Sequence, residues 1–98
     1  MKETTVVDVE AMIKEGKSVH LIDVREVDEA TKGKIPGAMH IPLGLLEFRM
    51  HELEKEIEYT MVCRSGGRSG KAAQLLASHG FKVVNMAGGM LAWQGPIE

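Results

Sequence analysis

Short segments rich in aliphatic and β-branched residues alternate with helix-like segments along the whole chain. This alternation is typical of an α/β fold, in which helices connect strands that lie mainly parallel in one sheet. Four segments have clear strand character and a fifth has it weakly: residues 20–24, 38–41, 59–63 and 82–85, and residues 4–6. The pattern therefore predicts an α/β fold with a mainly parallel sheet.

Helix-like segments lie between these strands, over residues 8–15, 43–53 and 68–79. Asp8 is a favourable N-cap for the first helix, and Gly80 stands where a left-handed residue would end the third. The middle segment is Leu-rich and amphipathic. A Gly-Gly turn near the end of the chain predicts a further short helix through Met90, Leu91 and Trp93, in which we expect Trp93 to be a packing residue.

Length and composition indicate one domain. The 98 residues are 44% hydrophobic and 27% charged, which is an ordinary globular composition with enough apolar material for one core. Residues 1–98 are therefore predicted to form a single domain. Cys63 is the only cysteine, which excludes an intrachain disulfide, a CxxC redox pair and a zinc ribbon, and favours a reducing compartment.

The charge balance argues against nucleic-acid and membrane partners. Twelve Lys and Arg against 14 Asp and Glu give a net charge of −2 at pH 7, so no overall basic field exists. Acidic residues interrupt the first ten positions where a signal peptide would need an apolar run, and no segment approaches the roughly 18 apolar residues of a membrane span. We therefore expect a cytoplasmic protein.

The segment CRSGGRS begins where the predicted strand 59–63 ends and leads into the predicted helix 68–79. It consists of Cys63, Arg64, Ser65, Gly66, Gly67, Arg68 and Ser69. Ligands bind where a parallel strand turns into a helix, because backbone N–H groups and the positive end of the helix dipole point there. The glycines allow successive amides to turn inward, and the serines and arginines add donors and positive charge. Thiols in such surroundings have pKa values of about 3.5 to 7.5 instead of about 8.5, so Cys63 is predicted to be a nucleophile.

Other interpretations of this segment fit less well. A cysteine that ends an apolar strand is often only a small buried hydrophobic residue, but such a residue needs no polar loop beside it. A phosphate-binding P-loop would need Gly in place of Ser65 and Ser or Thr in place of Ala72. A cysteine phosphatase would need Arg where Ser69 stands, six positions after the cysteine. The four histidines are scattered without metal-ligand spacing, so neither a metal site nor a cofactor is predicted.

Three motifs together resemble the rhodanese (thiosulfate sulfurtransferase) homology domain family over nearly the whole chain. They are LIDVRE at 21–26, GKIPGAMHIP at 33–42 and CRSGGRS at 63–69, and the closing AGGMLAW is similar as well. Lys34 is a departure, since histidine is commoner at that position of the family motif. The resemblance implies a central five-stranded parallel sheet with helices on both faces, and an active loop that runs from Cys63 to Arg68.

The resemblance also implies sulfane sulfur transfer through a persulfide on Cys63. The donor would be a small anion such as thiosulfate or a persulfide. The acceptor would be an external thiol or protein, because the chain has no second cysteine to resolve the persulfide. Two half-reactions with a sulfur-bearing enzyme between them predict ping-pong kinetics. A sulfur-carrier or binding module that serves a specific protein partner, with little thiosulfate turnover, is the alternative function. A phosphatase or arsenate reductase is disfavoured by the loop length and by the lack of resolving cysteines.

The remaining site residues have predicted roles as well. The backbone N–H groups of residues 64–69 would hold the transferred sulfur. Arg64 and Arg68 would attract an anionic donor, or one or both would point away into surface salt bridges. Asp23 and Arg25, at the end of the preceding strand, would support the loop through an ion pair or hydrogen bonds.

Overall fold

Five short strands lie parallel in one sheet in the computed structural model, which describes residues 2–98. They are β1 (Glu3–Thr5), β2 (His20–Asp23), β3 (Met39–His40), β4 (Glu58–Val62) and β5 (Lys82–Ala87), and their spatial order is β1-β5-β4-β2-β3. β4 is the central strand, with Met61 opposite Ile22 of β2 and Thr60 opposite Val84 of β5. The predicted five-stranded parallel sheet is confirmed.

Four short helices lie between successive strands and a fifth follows β5: α1 (Val6–Lys14), α2 (Val27–Ala30), α3 (Leu46–Arg49), α4 (Gly67–Ser78) and α5 (Gly89–Ala92). The longest of them, α4, has 12 residues. Across residues 2–98, no helix combines the length and the apolar character that crossing a membrane requires.

Apolar side chains cover both faces of the sheet, because neighbouring residues of a strand point to opposite sides. On one face, Met61 of β4 packs in a cluster with Leu76 of α4. On the other face, Val62 packs in a second cluster with Val9 of α1 and with Trp93. Trp93 is only 9% exposed, so it is the packing residue that was expected. Helices therefore lie on both faces, as predicted, and the residues that follow β4 emerge between the two layers.

The start of α1 differs from the prediction. Thr5, and not Asp8, is the N-cap: its backbone is extended and its hydroxyl accepts a hydrogen bond from the Asp8 backbone N–H at 3.1 Å. Val6 was assigned to the first strand but is the first residue of the helix. Pairing with β5 sets this boundary, because Thr5 lies opposite Ala87 and is the last residue of β1. Asp8 instead places its negative charge in the first helical turn, where the helix dipole favours it.

Other segments also differ in extent: β2, β3, β4 and α4 differ by one residue at one or both ends, and two segments differ by more. The Leu-rich segment 43–53 is not one helix but two 3-10 turns on either side of α3, at Leu43–Leu45 and Met50–Glu52. The short pieces allow Leu46 and Leu53 to be buried while Phe48 stays exposed. β5 continues two residues beyond the predicted end at Asn85, because its last residues pair with β1.

Candidate active site

Cys63 lies at the carboxyl end of the central strand, directly after β4 and four residues before the start of α4. Strands on both sides of β4 end at the same edge of the sheet, where parallel α/β folds bind their ligands. The sequence places the only thiol of the chain at this edge, as predicted from the CRSGGRS segment.

The Cys63 sulfur is buried but hydrogen-bonded. The residue is only 1% exposed and contributes to the apolar cluster beneath α4. Its Sγ nevertheless accepts a hydrogen bond from the Gly66 backbone N–H at 3.0 Å and one from the Ser69 hydroxyl at 3.3 Å. A cysteine that served only as a small hydrophobic residue would not need these donors, so the geometry favours a sulfur that carries negative charge.

These donors set the ionisation of the thiol. Burial raises the pKa of Cys63, but the Ser69 hydroxyl and the backbone N–H groups of Ser69, Gly66 and Ser65 lower it by more. The net result is a pKa below the ordinary value of a cysteine. Hydrogen bonds to the charged form favour that form, and a thiolate is the nucleophilic form of cysteine.

Gly66 fixes the shape of the loop. Its φ of +108° lies in the left-handed region, where a side chain would be strained, and it is the N-cap of α4. Its carbonyl oxygen accepts hydrogen bonds from the Gly70 N–H at 3.1 Å, the Ser69 hydroxyl at 3.1 Å and the Asn85 Nδ2 at 3.2 Å. Because a hydroxyl has one proton, Ser69 donates at any moment either to this carbonyl or to the Cys63 sulfur.

The start of α5 supports the loop from behind. The backbone N–H groups of Met90 and Leu91 donate to the carbonyl oxygens of Cys63 and Arg64, at 2.8 and 2.9 Å. Gly89 permits this approach: a Cβ built on it would lie 2.5 Å from both of those carbonyl oxygens. The second glycine of the AGGM segment is therefore part of the site, since any side chain there would push the loop away.

The two arginines of the loop have different surroundings. Arg68 forms an ion pair with Glu29, in which its Nη1 and Nη2 donate to the two carboxylate oxygens at 2.5 and 2.8 Å. The Arg68 guanidinium lowers the pKa of Glu29 to about 2, so the carboxylate is ionised at neutral pH. Arg64 is exposed, and within residues 2–98 its guanidinium takes part in no salt bridge. Of the two arginines, Arg68 therefore has the predicted surface salt bridge, whereas Arg64 has none within residues 2–98.

Arg64 borders a shallow depression beside the loop, lined also by Arg25, Glu29, Lys32, Met90 and Leu91. Leu91 is exposed and Lys32 adds a second positive charge at the rim. The approach to the loop therefore combines positive charge with a small apolar surface.

Asp23 and Arg25 form a buried ion pair with each other. The Arg25 Nη2 lies 2.7 Å from one Asp23 oxygen and donates also to the Gly33 carbonyl oxygen at 2.8 Å, and its Nη1 lies 3.4 Å from the Glu29 carbonyl oxygen. These bonds fix the chain around residues 29–33. The pair therefore contacts the backbone of Glu29, whose side chain bonds to Arg68, while no hydrogen bond from the pair to the CRSGGRS loop itself is found within residues 2–98.

The remaining loop residues have smaller roles. Ser65 is exposed and acts on Cys63 through its backbone N–H. Gly67 is exposed and begins α4. Three residues that the sequence analysis did not assign to the site also contribute, namely Glu29, Asn85 and Gly89. For Gly89 the Gly-Gly pair was the only sequence feature that indicated a special position. No local sequence feature distinguishes Glu29 or Asn85.

Comparison with known proteins agrees with this geometry. The family model described as the rhodanese-like domain matches residues 5–96. The chain belongs to the rhodanese-like family. YtwF of Bacillus subtilis, whose name marks it as a candidate sulfurtransferase, is 42% identical over 98 residues, which cover 100% of this chain and 95% of that protein. A sulfurtransferase of Allochromatium vinosum is 38% identical over 78 residues, covering 79% of this chain and 73% of the relative.

Other relatives are similar over different shares of their length. YrkF of Bacillus subtilis, whose name marks it as a candidate sulfur carrier protein, is 45% identical over 83 residues, which cover 84% of this chain and 45% of YrkF. The crystal structure of a rhodanese-like domain protein from Staphylococcus aureus has a TM-score of 0.95 and 34% identity, covering 100% of this chain and 97% of the other. These similarities confirm the family and the fold that the motifs resembled.

Proposed function

We propose that this rhodanese-like protein is a sulfurtransferase that carries sulfane sulfur as a persulfide on Cys63. The observation that carries the proposal is the sulfur of Cys63, which accepts hydrogen bonds from Gly66 N–H and the Ser69 hydroxyl at the head of α4. The names of YtwF and of the Allochromatium vinosum sulfurtransferase support sulfur transfer as the general chemistry.

In the first half-reaction the Cys63 thiolate attacks the outer sulfur of the donor. With thiosulfate, a bond forms between Sγ and that sulfur, the sulfur–sulfur bond of the donor breaks, and sulfite leaves with the bonding electron pair. Both the thiolate and the resulting persulfide are anions, so the same amide donors stabilise the sulfur before and after transfer. No general base is required of the loop, because its hydrogen-bond donors lower the pKa of Cys63 and favour the ionised thiol.

In the second half-reaction a nucleophile from outside the chain removes the outer sulfur and regenerates the thiolate. Cys63 is the only cysteine in the sequence, so the acceptor must be an external thiol, a protein thiol or another thiophilic anion. The exposed Arg64 is proposed to attract the anionic donor to the loop. A lone reactive thiolate of this kind suits a reducing compartment such as the cytoplasm.

A sulfur carrier that serves one protein partner is the second candidate, and it is favoured by the name of YrkF. This candidate uses Cys63 in the same way and differs only in its acceptor. Steady-state transfer from thiosulfate to cyanide, measured beside transfer to candidate protein thiols, separates the two. A fast cyanide reaction supports the general enzyme, and a fast reaction with protein thiols alone supports the carrier.

The direct test of the persulfide is mass spectrometry of the purified protein after exposure to thiosulfate. We expect one additional sulfur atom on the peptide that contains Cys63, and we expect a reducing thiol to remove it. Cys63→Ser is the matched control and should gain nothing. Folded protein that remains unmodified by thiosulfate and by small persulfides alike would refute the proposed function.

A further inference from the structure

We propose that Glu29 determines which sulfur donors this protein prefers: its ion pair with Arg68 lowers the positive charge of the active loop and disfavours doubly charged donors. The preferred donor class is then a singly charged, persulfide-like anion, with thiosulfate a poorer substrate. This inference rests on the proposed persulfide chemistry of Cys63 and goes beyond it by assigning a specificity-determining residue outside the loop.

The first support is the geometry of the pair. The Arg68 guanidinium donates to both oxygens of Glu29, which is the two-point arrangement that arginine and carboxylate favour. Glu29 is itself held in place: its Oε1 accepts the backbone N–H of Glu26 at 3.0 Å in the capping box of α2. Since both partners are fixed, Glu29 is not expected to swing aside when a donor approaches.

The second support is the charge that remains at the site. The loop contributes two permanent cations, Arg64 and Arg68, and the Cys63 thiolate opposes them with one negative charge. Glu29 neutralises Arg68, which leaves Arg64 to balance the thiolate and Lys32 at the rim to meet the donor. A dianion that approaches this thiolate experiences twice the repulsion of a monoanion, because Coulomb energy is proportional to charge.

Glu29 could also act only as a mechanical connection between α2 and the loop. The two roles predict different results when the charge of the donor is varied. A purely mechanical change would alter the rates of all donors by a similar factor. A charge effect scales with the charge of the donor, so that removing one negative charge helps a dianion more than a monoanion.

The experiment measures the first half-reaction with two donors that carry the same reactive group. Thiosulfate is a dianion and methanethiosulfonate is a monoanion, and in both the outer sulfur is bonded to an oxidised sulfur. The Cys63 thiolate forms a bond to that outer sulfur, the sulfur–sulfur bond breaks, and sulfite or methanesulfinate leaves with the electron pair. Rapid quenching followed by mass spectrometry of the Cys63 peptide gives a second-order rate constant for each donor.

The central variant is Glu29→Gln. Glutamine serves as well as glutamate at the third position of a capping box, so α2 should keep its start. Because the electrostatic energy is proportional to the charge of the donor, the factor gained by thiosulfate should be about the square of the factor gained by methanethiosulfonate. For a screened charge at the protein surface we expect roughly tenfold for thiosulfate and roughly threefold for methanethiosulfonate. The preference for thiosulfate over methanethiosulfonate should thus rise about threefold, and added salt should reduce the gain.

The matched control is Glu52→Gln. Glu52, on the segment that follows α3, also forms a two-point ion pair at the surface, with Arg49. The control changes the net charge by the same amount at a surface ion pair that includes no residue of the loop. We expect its donor preference to equal that of the wild type. An equal rise in Glu52→Gln would overturn the proposal, because the effect would then follow from net charge alone.

Arg68→Gln and the double variant Arg68→Gln with Glu29→Gln complete the test. The first leaves Glu29 unpaired, so the preference should move about threefold toward methanethiosulfonate. The second restores a neutral pair of side chains, so the preference should return close to that of the wild type. Equal changes for both donors in all three variants would mean that the pair acts mechanically, and the inference would be wrong.

The outcomes separate this inference from the proposed function. If neither donor loads Cys63 in the wild-type protein, the persulfide chemistry itself fails and the assignment of Glu29 fails with it. If both donors load Cys63 and the preference does not respond to Glu29→Gln, only the role of Glu29 is refuted.

Discussion

Replacing Gly89 with alanine should damage the active loop more than any comparable glycine replacement. A Cβ at this position would lie 2.5 Å from the carbonyl oxygens of Cys63 and Arg64, and those atoms are backbone that cannot rotate away. The same two oxygens accept the hydrogen bonds from Met90 and Leu91 that hold the loop against α5. The substitution must therefore push the loop and α5 apart.

The magnitude follows from three contributions. Alanine at the φ of +55° found for Gly89 costs about 1 to 2 kcal/mol. Overpacking against fixed neighbours costs about 1 to 3 kcal/mol. Relief of that overlap by movement weakens two hydrogen bonds, each worth about 0.5 to 1.5 kcal/mol. Since overlap and hydrogen-bond loss partly replace each other, we expect a total loss of about 3 to 5 kcal/mol in the free energy of unfolding.

Gly16→Ala is the matched control. Gly16 also has a positive φ, of +76°, but a Cβ there would meet no atom within 4 Å. The control should therefore lose only the backbone term, about 1 to 2 kcal/mol. Urea unfolding of both variants measures the difference between their free energies of unfolding, which should be at least about 2 kcal/mol. Thermal unfolding should accordingly give Gly89→Ala a Tm roughly 8 to 16 °C below that of the control. Equal stabilities for the two variants would refute the close packing of α5 against the loop.

Three further predictions concern the same site. Ser69→Ala should raise the pKa of Cys63, because it removes a hydrogen-bond donor that favours the thiolate by about 1.5 to 3 kcal/mol. The ultraviolet absorbance of the thiolate as a function of pH measures this change, and an unchanged titration curve would contradict the prediction. Asn85→Ala should cost about 0.5 to 1.5 kcal/mol of stability and slow the loading of Cys63, because it removes one of the three hydrogen bonds to the Gly66 carbonyl. Urea unfolding and rapid-quench loading test this, and wild-type values in both would argue against it. The ionised Glu29 carboxylate should contribute its full stabilisation above the ordinary pKa of 4.5, and this contribution should be lost as the pH falls toward the pKa of about 2 that Glu29 has in the folded protein. The Tm of the wild type should therefore fall more steeply with acid than that of Glu29→Gln. Parallel declines of the two Tm values would contradict this.

The parts of the structure that depend on local patterns could be predicted from the sequence. Alternating aliphatic and helix-like segments indicate the parallel sheet, and a polar glycine-containing loop after a strand predicts that Cys63 lies at the carboxyl edge of that sheet, where the structure has it. Gly80, predicted as the left-handed residue after α4, has a φ of +88°. Each of these features depends on neighbours within one helix, strand or turn, and such neighbours are visible in the sequence.

The remaining features depend on partners that are distant in sequence. Glu29 lies 39 positions before Arg68, and no local pattern pairs one surface glutamate with one loop arginine among many alternatives. In the sequence, Asn85 has no feature that distinguishes it from other strand residues. Its role becomes visible only in the fold, where its Nδ2 donates to the Gly66 carbonyl oxygen. The first helix shows the same limit in a milder form: Thr5 and Asp8 are both good N-caps, and the pairing of β1 with β5 decides between them.

The central claim is that the loop keeps the sulfur of Cys63 ionised, and a titration of that single thiol tests it most directly. Because the chain has no other cysteine, the pH-dependent ultraviolet absorbance of thiolate, corrected with the Cys63→Ser variant, reports this group alone. We predict that the midpoint in the folded protein lies below that of the same chain unfolded in urea. A midpoint in the folded protein equal to or above that of the unfolded chain would contradict the account.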